Sequence, residues 1–441
     1  MKFEKSNLKF QISKIKKHLQ GVDKVKLLQE IEMKTIFKTK ELLKELNKIN
    51  KIIKKYKWNE SEKIILLNCE RDNCYLKSII PFIIKIKIPG EVIEPGKVFI
   101  SIKNIENINK KYETVEISTD NNHIYFNNVS DKLPQLKFVT ELSYFLFDND
   151  YHYQIKSNNP NSKIENFKFR LENSKIKIEQ TIDFCSMDKT KPMINCFGIQ
   201  NNHIECTDGY RLLRKKNICE IPKKLLELGF SLQLPLEVAE IIKGEDFNVD
   251  VKSEVIKGYK SEKYYIQNNI EKKGKYKDEI KVEYILKSIV TLNNEKITIE
   301  FRNEKNSPPS EDSPPSNEII DTCYLDNFIK IELNEEINLQ DLSIFDNFKK
   351  DEANIILRFT TNNHIQIVIE NRNIEPQIIK NLSYEGLKFD EPRKLIFNPI
   401  YIKDVLKIAS IKNFKIDKTI KYSPLFIENE KFIFLVMPKK Y

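Results

Sequence analysis

At 441 residues the chain exceeds what one hydrophobic core ordinarily holds, so about two to four domains are expected. Its most apolar stretch, Ile79 to Ile88, is broken by Pro81, Lys85 and Lys87. That is too short to span a bilayer, and no apolar run follows the Lys-rich N-terminus as a signal peptide would require. A soluble, cytoplasmic protein without a membrane partner is expected. The net charge of +10 lies in residues 1–60, with 17 Lys against 7 Asp and Glu, which leaves the remainder neutral. A basic segment beside a neutral body points to a polyanion, most simply nucleic acid; an AT-rich coding bias, visible as Ile, Lys and Asn richness throughout, competes with that reading. Seven cysteines, an odd number without paired close spacing, argue against a disulfide framework, and Cys69 and Cys74 read as ordinary strand residues.

In chain order, residues 1–32 form a basic extension, and a first block covers 33–160. It opens with a helix over Lys40–Tyr56. At 100° per residue, Lys40, Lys44, Lys48, Lys51 and Lys55 fall within an arc of roughly 80°, with Leu42, Leu43, Leu46, Ile49 and Ile53 opposite. A strand over Ile64–Cys69 follows. The block continues with a strand over Lys97–Ile100, a helix near Lys103–Lys110 and alternating strands at Thr114–Ile117 and His123–Phe126. A second block, 161–281, repeats this order. It has a helix over Asn173–Phe184, a strand over Ser231–Leu234, a helix from Pro235 to Lys243, and strands at Phe247–Val251 and Tyr264–Ile266. Residues 282–330 are set aside as a linker with a Pro/Ser-rich insertion at 306–316. The third block, 331–441, has a helix within Leu339–Phe348, a strand over Lys394–Phe397, a helix over Pro399–Ala409, and strands at Pro424–Ile427 and Phe432–Met437. The expected class is α+β, with three repeated domains, each with two helices on antiparallel sheets.

An enzyme reading finds little. The five histidines are scattered, there are only ten glycines, and neither a His-Glu-x-x-His nor a phosphate-loop pattern occurs. On one strand, His203 points opposite to Cys206 and Asp208, which leaves them unable to form one site. No catalytic residue, metal or cofactor is expected.

Three short motifs carry a resemblance. They are Asp188-Lys189-Thr190-Lys191-Pro192-Met193-Ile194-Asn195, Thr207-Asp208-Gly209-Tyr210-Arg211-Leu212, and the terminal Val436-Met437-Pro438-Lys439-Lys440-Tyr441. In this order and spacing they resemble the bacterial sliding clamp, the beta subunit of DNA polymerase III, of which this chain looks like a diverged member; Glu94-Pro95-Gly96 adds a local match in the first block. The resemblance implies a DNA clamp fold that closes into a ring as a homodimer. It also implies sequence-independent binding of duplex DNA, and partnership with a replicative DNA polymerase and a clamp loader. On this likeness Ile194, Thr207, Gly209, Tyr210, Arg211, Leu212, Ser423, Leu435, Met437 and Pro438 would line a pocket for partner peptides. Lys40, Lys44, Lys48, Lys51, Lys55 and Lys191 would face the DNA, with Lys103, Lys110, Lys175, Lys177, Lys243, Lys403 and Lys407 as weaker candidates. A clamp-like DNA-binding accessory protein that does not serve the main replicative polymerase is the alternative.

Overall fold

The computed structural model describes residues 33–55, 64–78, 82–101, 108, 110–120, 123–127, 133–134, 155, 162–173, 177–188, 194–200, 203–216, 220–260, 280–303, 320, 323–347, 353–371, 374–385, 389 and 391–439. The basic extension, the Pro/Ser-rich insertion, Lys103, Lys175, Lys191, Tyr264–Ile266 and the side chain of Lys55 lie outside the described residues. Two compact units are present. One is drawn from Met1–Lys168, Phe247–Lys257 and Lys287–Arg302, the other from Phe169–Asp246, Gly258–Leu286 and Asn303–Tyr441.

Three passes of one strand order run through the chain. The first comprises β1 (Lys34–Lys38), β2 (Ile64–Glu70), β3 (Asn73–Ser78), β4 (Ile83–Ile88), β5 (Glu91–Glu94), β6 (Gly96–Ser101), β7 (Thr114–Thr119), β8 (His123–Phe126) and β9 (Leu133–Pro134). Strands β2, β3 and β4 form a meander, β6 returns to pair with β2, and β7 pairs with β1.

The second pass has β10 (Ser162–Leu171), the meander β11 (Cys196–Gln200), β12 (His203–Thr207) and β13 (Arg211–Lys216), then β14 (Leu232–Pro235), β15 (Phe247–Lys260), β16 (Ile280–Asn293) and β17 (Ile297–Asn303). Here β14 pairs with β11, and β15 lies beside β10. The third has β18 (Phe328–Ile337), β19 (Ala353–Phe359), β20 (His364–Asn371), β21 (Ile374–Glu385), β22 (Arg393–Phe397), β23 (Ile411–Asp417), β24 (Leu425–Glu428) and β25 (Phe432–Val436). Here β22 pairs with β19, and β23 with β18.

These strands build a five-stranded sheet, β5-β1-β7-β8-β9, and an eight-stranded sheet, β10-β15-β16-β17-β4-β3-β2-β6. A twelve-stranded sheet, β14-β11-β12-β13-β25-β24-β23-β18-β21-β20-β19-β22, lies wholly in the second unit. The interval 282–330 set aside as a linker holds most of β16, all of β17 and the start of β18.

The first helix has its expected length and the later described ones are shorter, while most of the helix expected near Lys103–Lys110 lies outside the described residues. Helix α1 (Thr39–Lys55) starts with Glu41 in its first turn, where a carboxylate complements the helix dipole. It buries Leu42, Leu43, Leu46, Ile49 and Ile52, each worth about 1.5–3 kcal/mol in apolar burial. Of the helix expected over Asn173–Phe184, the described residues show α2 (Ile178–Thr181) followed by a 3-10 turn at Ile182–Phe184, with Lys177 before it at φ +48°; residues 174–176 lie outside the described residues. Helix α3 (Lys223–Glu227) had no counterpart in the sequence reading. Helix α4 (Leu236–Ile242) begins one residue later than expected, with Pro235 as its cap position. Leu339–Asn347 is a 3-10 helix. Helix α5 (Pro399–Leu406) is capped by Asn398, whose Oδ1 accepts from the Ile400 N–H at 3.1 Å, with Pro399 in the first turn. A proline suits that turn because its absent N–H would be unpaired there anyway.

Candidate partner-docking site

The Thr207–Leu212 motif is the turn between β12 and β13. Asp208 Oδ1 accepts from the Tyr210 and Arg211 N–H groups at 2.9 and 3.0 Å, so the carboxylate organises the backbone around itself. Thr207 Oγ1 accepts from Gly209 N–H at 3.1 Å and donates to the Arg211 carbonyl at 2.8 Å. Gly209 sits at φ +88°, in the left-handed region that a side chain disfavours. From the preceding loop, Ser186 N–H reaches the carbonyls of both Ile194 and Thr207, at 3.0 and 3.1 Å. That brings the first motif against the second.

The terminal motif arrives through strand pairing. Strand β25 runs antiparallel to β13, with Arg211 opposite Val436 and Leu212 opposite Leu435. Beyond the pairing, Met437 N–H donates to the Tyr210 carbonyl at 2.7 Å. The chain is then held by Lys439 N–H on the Ile396 carbonyl at 2.7 Å, which leaves Pro438 half-buried between two anchors. Tyr210 is 59% exposed and Met437 39% exposed. Ile194 is half-buried, its Cδ1 3.8 Å from where a Cβ on Gly209 would lie. A tyrosine ring and a methionine on one rim suit a peptide's apolar anchors.

The candidate residues divide between two faces of the sheet, because neighbours on a strand point opposite ways. Leu212 and Leu435 join Ile320, Cys323, Phe426 and Ile433 in an apolar cluster with Phe328 packed against it. Arg211 points the other way and is buried at 8% exposure. Its Nε donates to Asp208 Oδ2 at 3.0 Å, Nη1 donates to Asp404 Oδ2, and Nη2 to the Asp183 carbonyl. Its guanidinium carbon stands 4.9 Å from the ring centroids of both Phe184 and Tyr401, within cation–π range. Tyr401 in turn stacks on Tyr210, with centroids 6.2 Å apart and planes 17° from parallel. Arg211 is thus an internal tie from the turn to α5, with its hydrogen-bonding groups already engaged. Ser423 is fully buried, accepting from Asp417 N–H at 2.6 Å and donating to the Pro424 carbonyl at 2.9 Å. These bonds give it a turn-forming role.

Asp404 also accepts from Lys407 Nζ at 2.6 Å, and this bond raises the Lys407 ammonium above its ordinary pKa. Lys407, a weaker DNA candidate, is therefore already paired. Beside it lies a cavity of about 180 Å³ lined by Glu179, Gln180, Asp183, Phe184, Asp404, Lys407 and Ile408. Asp183, Phe184, Tyr401 and Asp404, and the apolar Ile320, Cys323 and Phe426, were missed from the sequence. The one usable signal was a carboxylate, Asp404, on a helix whose other buried positions are Pro399, Ile402, Val405 and Leu406.

On α1, Lys40, Lys44 and Lys51 are exposed. Lys48 is drawn to Glu45 at 3.0 Å, and Lys296 meets the same carboxylate at 2.7 Å. Burial pushes the Glu45 carboxyl up, but these two lysine hydrogen bonds outweigh it and hold the group below its ordinary pKa. Among the described residues no group of three His, Cys, Asp or Glu could hold a metal ion, and no helix is long and apolar enough to cross a membrane.

Compared with family models and with curated proteins, the sequence matches none. Solved structures match well. The beta sliding clamp of C. crescentus superposes with a TM-score of 0.63 at 14% identity, over 93% of this chain and 100% of that one. A DnaN sliding clamp (DNA polymerase III subunit beta) from Bartonella birtlesii bound to griselimycin gives 0.60 at 13%, over 93% and 100%. The DNA polymerase III beta subunit of Thermotoga maritima gives 0.57 at 15%, again over 93% and 100%. Together with the thrice-repeated strand order, these likenesses show that the chain has the α+β DNA-clamp fold of the DNA polymerase III beta subunits.

Proposed function

We propose that this chain is a diverged sliding clamp, a non-catalytic subunit that encircles duplex DNA and keeps a replicative polymerase on it. The observation that carries the reading is the Met437–Tyr210 backbone bond at 2.7 Å. It joins the Thr-Asp-Gly-Tyr-Arg-Leu turn to the terminal Met-Pro and builds the rim on which partner peptides from the polymerase or clamp loader would dock.

The strand order supports a closed ring made from two copies. Within the chain, β4 pairs with β17 and β13 with β25, so the third meander strand of one pass meets the last strand of the next. We read these as two like junctions between three domains, the second running to residue 303. Among the described residues, the corresponding strands without such a junction are β21, which meets β18 at Tyr384 and Glu385, and the β8–β9 end of the five-stranded sheet. A second copy placed head to tail would join them, and two such joints close a ring. Duplex DNA carries about one charge per 1.7 Å of axis, so lysines such as Lys40, Lys44 and Lys51 could hold it centrally without reading its sequence.

The test is topological. Protein loaded by a clamp loader onto nicked circular DNA should survive a high-salt wash and be lost when the circle is cut once. Equal retention on circular and linear DNA would refute encirclement and favour a charge-bound accessory protein.

A further inference from the structure

Cys69 and Cys74 serve neither the docking rim nor the lysine face. They lie directly opposite each other on the β2–β3 hairpin, one pair inside the Glu70–Asn73 pair that closes the turn. Opposed residues of an antiparallel pair stand about 4.5–5.5 Å apart at Cα, inside the roughly 4.4–6.8 Å that a disulfide spans. Both thiols are buried, at 1% and 0% exposure, and they hydrogen-bond to each other. On the far side, Cys74 Sγ lies 3.1 Å from where a Cβ on Gly90 would stand, so a side chain there would crowd the sulfur. Among the described cysteines, all free, this is the pair that strand register sets face to face.

From this register and the thiol–thiol contact we infer that Cys69 and Cys74 form a redox couple, closed to a cross-strand disulfide by a low-molecular-weight disulfide oxidant. The contact between the thiols raises the Cys69 thiol and lowers the Cys74 thiol. Either sulfur can open the exchange, and on one of the two routes Cys74 attacks. Its thiolate displaces one thiol from the oxidant and forms a mixed disulfide. Cys69 then loses its proton and attacks the Cys74 sulfur, displacing the second thiol. Two cysteines are oxidised by two electrons, one oxidant disulfide becomes two thiols, and the Cys69 proton ends on the departing thiolate. Access is through the exposed turn residues Glu70, Arg71 and Asp72, whose local opening uncovers the first pair beneath them.

The sequence supplies its own readout, because trypsin cleaves after Arg71, between the two cysteines. The folded full-length protein is incubated with glutathione disulfide, its remaining thiols are blocked, and it is digested without reductant. The expected product is peptide 64–71 joined to peptide 72–77, two hydrogens lighter than their sum and separated by dithiothreitol. A parallel sample oxidised in urea should scatter these cysteines among other partners. Recovery of the two peptides from folded protein as blocked thiols, as glutathione adducts, or joined to other cysteines would overturn the inference. Cys69→Ala should leave Cys74 as a glutathione adduct, and circular dichroism confirms that this variant is folded.

Discussion

Replacing Asp404 with alanine tests the tie between the Thr207–Leu212 turn and α5. Asp404 is 5% exposed and bonds two cations, Arg211 and Lys407. Breaking a buried pair by deleting one partner costs about 3–5 kcal/mol, because the other charge stays buried. Here the cost is lower. Arg211 keeps Asp208 at 3.0 Å and the Asp183 carbonyl, while Lys407 is 51% exposed and can rehydrate. A loss of about 2–3 kcal/mol follows, which is a fall in Tm of roughly 5–10 °C for a unit of this size. Scanning calorimetry of the full chain, with far-ultraviolet circular dichroism on the same samples, measures it. The double variant Arg211→Met with Asp404→Leu removes both charges at once. It should fall short of the sum of its single variants by about 1–3 kcal/mol. Single-variant losses within about 0.5 kcal/mol, as at a surface site, or strict additivity in the cycle, would refute the buried tie.

Tyr210→Ala, at a side chain 59% exposed, should leave Tm almost unchanged and Met437→Ala, at one 39% exposed, should lower it slightly, yet each should weaken binding of a fluorescent polymerase-tail peptide by about 10- to 100-fold in anisotropy titrations. Gly209→Ala should cost about 1–2 kcal/mol by urea unfolding. The backbone is at φ +88° and a new Cβ would meet only Ile194 at 3.8 Å, so strain rather than a clash sets the cost. Reversing Lys40, Lys44 or Lys51 to glutamate should reduce the salt dependence of DNA binding, each lysine contributing about one unit of slope; Lys48→Glu should change it less, because Glu45 already engages that side chain. The Glu45 carboxyl has a folded pKa below its unfolded one. Its contribution to stability is therefore present above the unfolded value and lost as pH falls through the folded value. Thermal melts from pH 6 down to about 3 should show a shallower acid decline in Glu45→Gln than in the wild type.

Much of the strand inventory was legible because alternation with period two survives wherever one face is buried, as at Thr114–Thr119 and His123–Phe126. Helix α1 was legible for the same kind of reason, its five lysines opposing a run of leucine and isoleucine. The start of β15 was legible as the strand at Phe247–Val251, but its continuation to Lys260 and most of β16 were not: lysine and glutamate dominate the interval after Val251, and the apolar run Ile289–Leu292 of β16 fell in the interval set aside as a linker. The helix expected over Asn173–Phe184 breaks at Lys177, whose backbone sits at φ +48°, and ends in a 3-10 turn at Ile182–Phe184, because tertiary contacts, and not local propensity, decide such marginal segments.

At the candidate site, sequence alone picked out the segments that the fold brings together. The Thr-Asp-Gly turn is a local structure, specified by an aspartate that caps its own backbone and a glycine free to adopt positive φ. The tertiary structure decided what each side chain does there. Arg211 finds Asp404 193 residues away, and Leu212 turns to the opposite face with Leu435, 223 positions on in the sequence. Strand register assigned those faces, and register is fixed only when β25 pairs with β13. A short motif encodes its own turn, but whether its charged residue meets a ligand or a buried partner depends on the distant chain that packs against it.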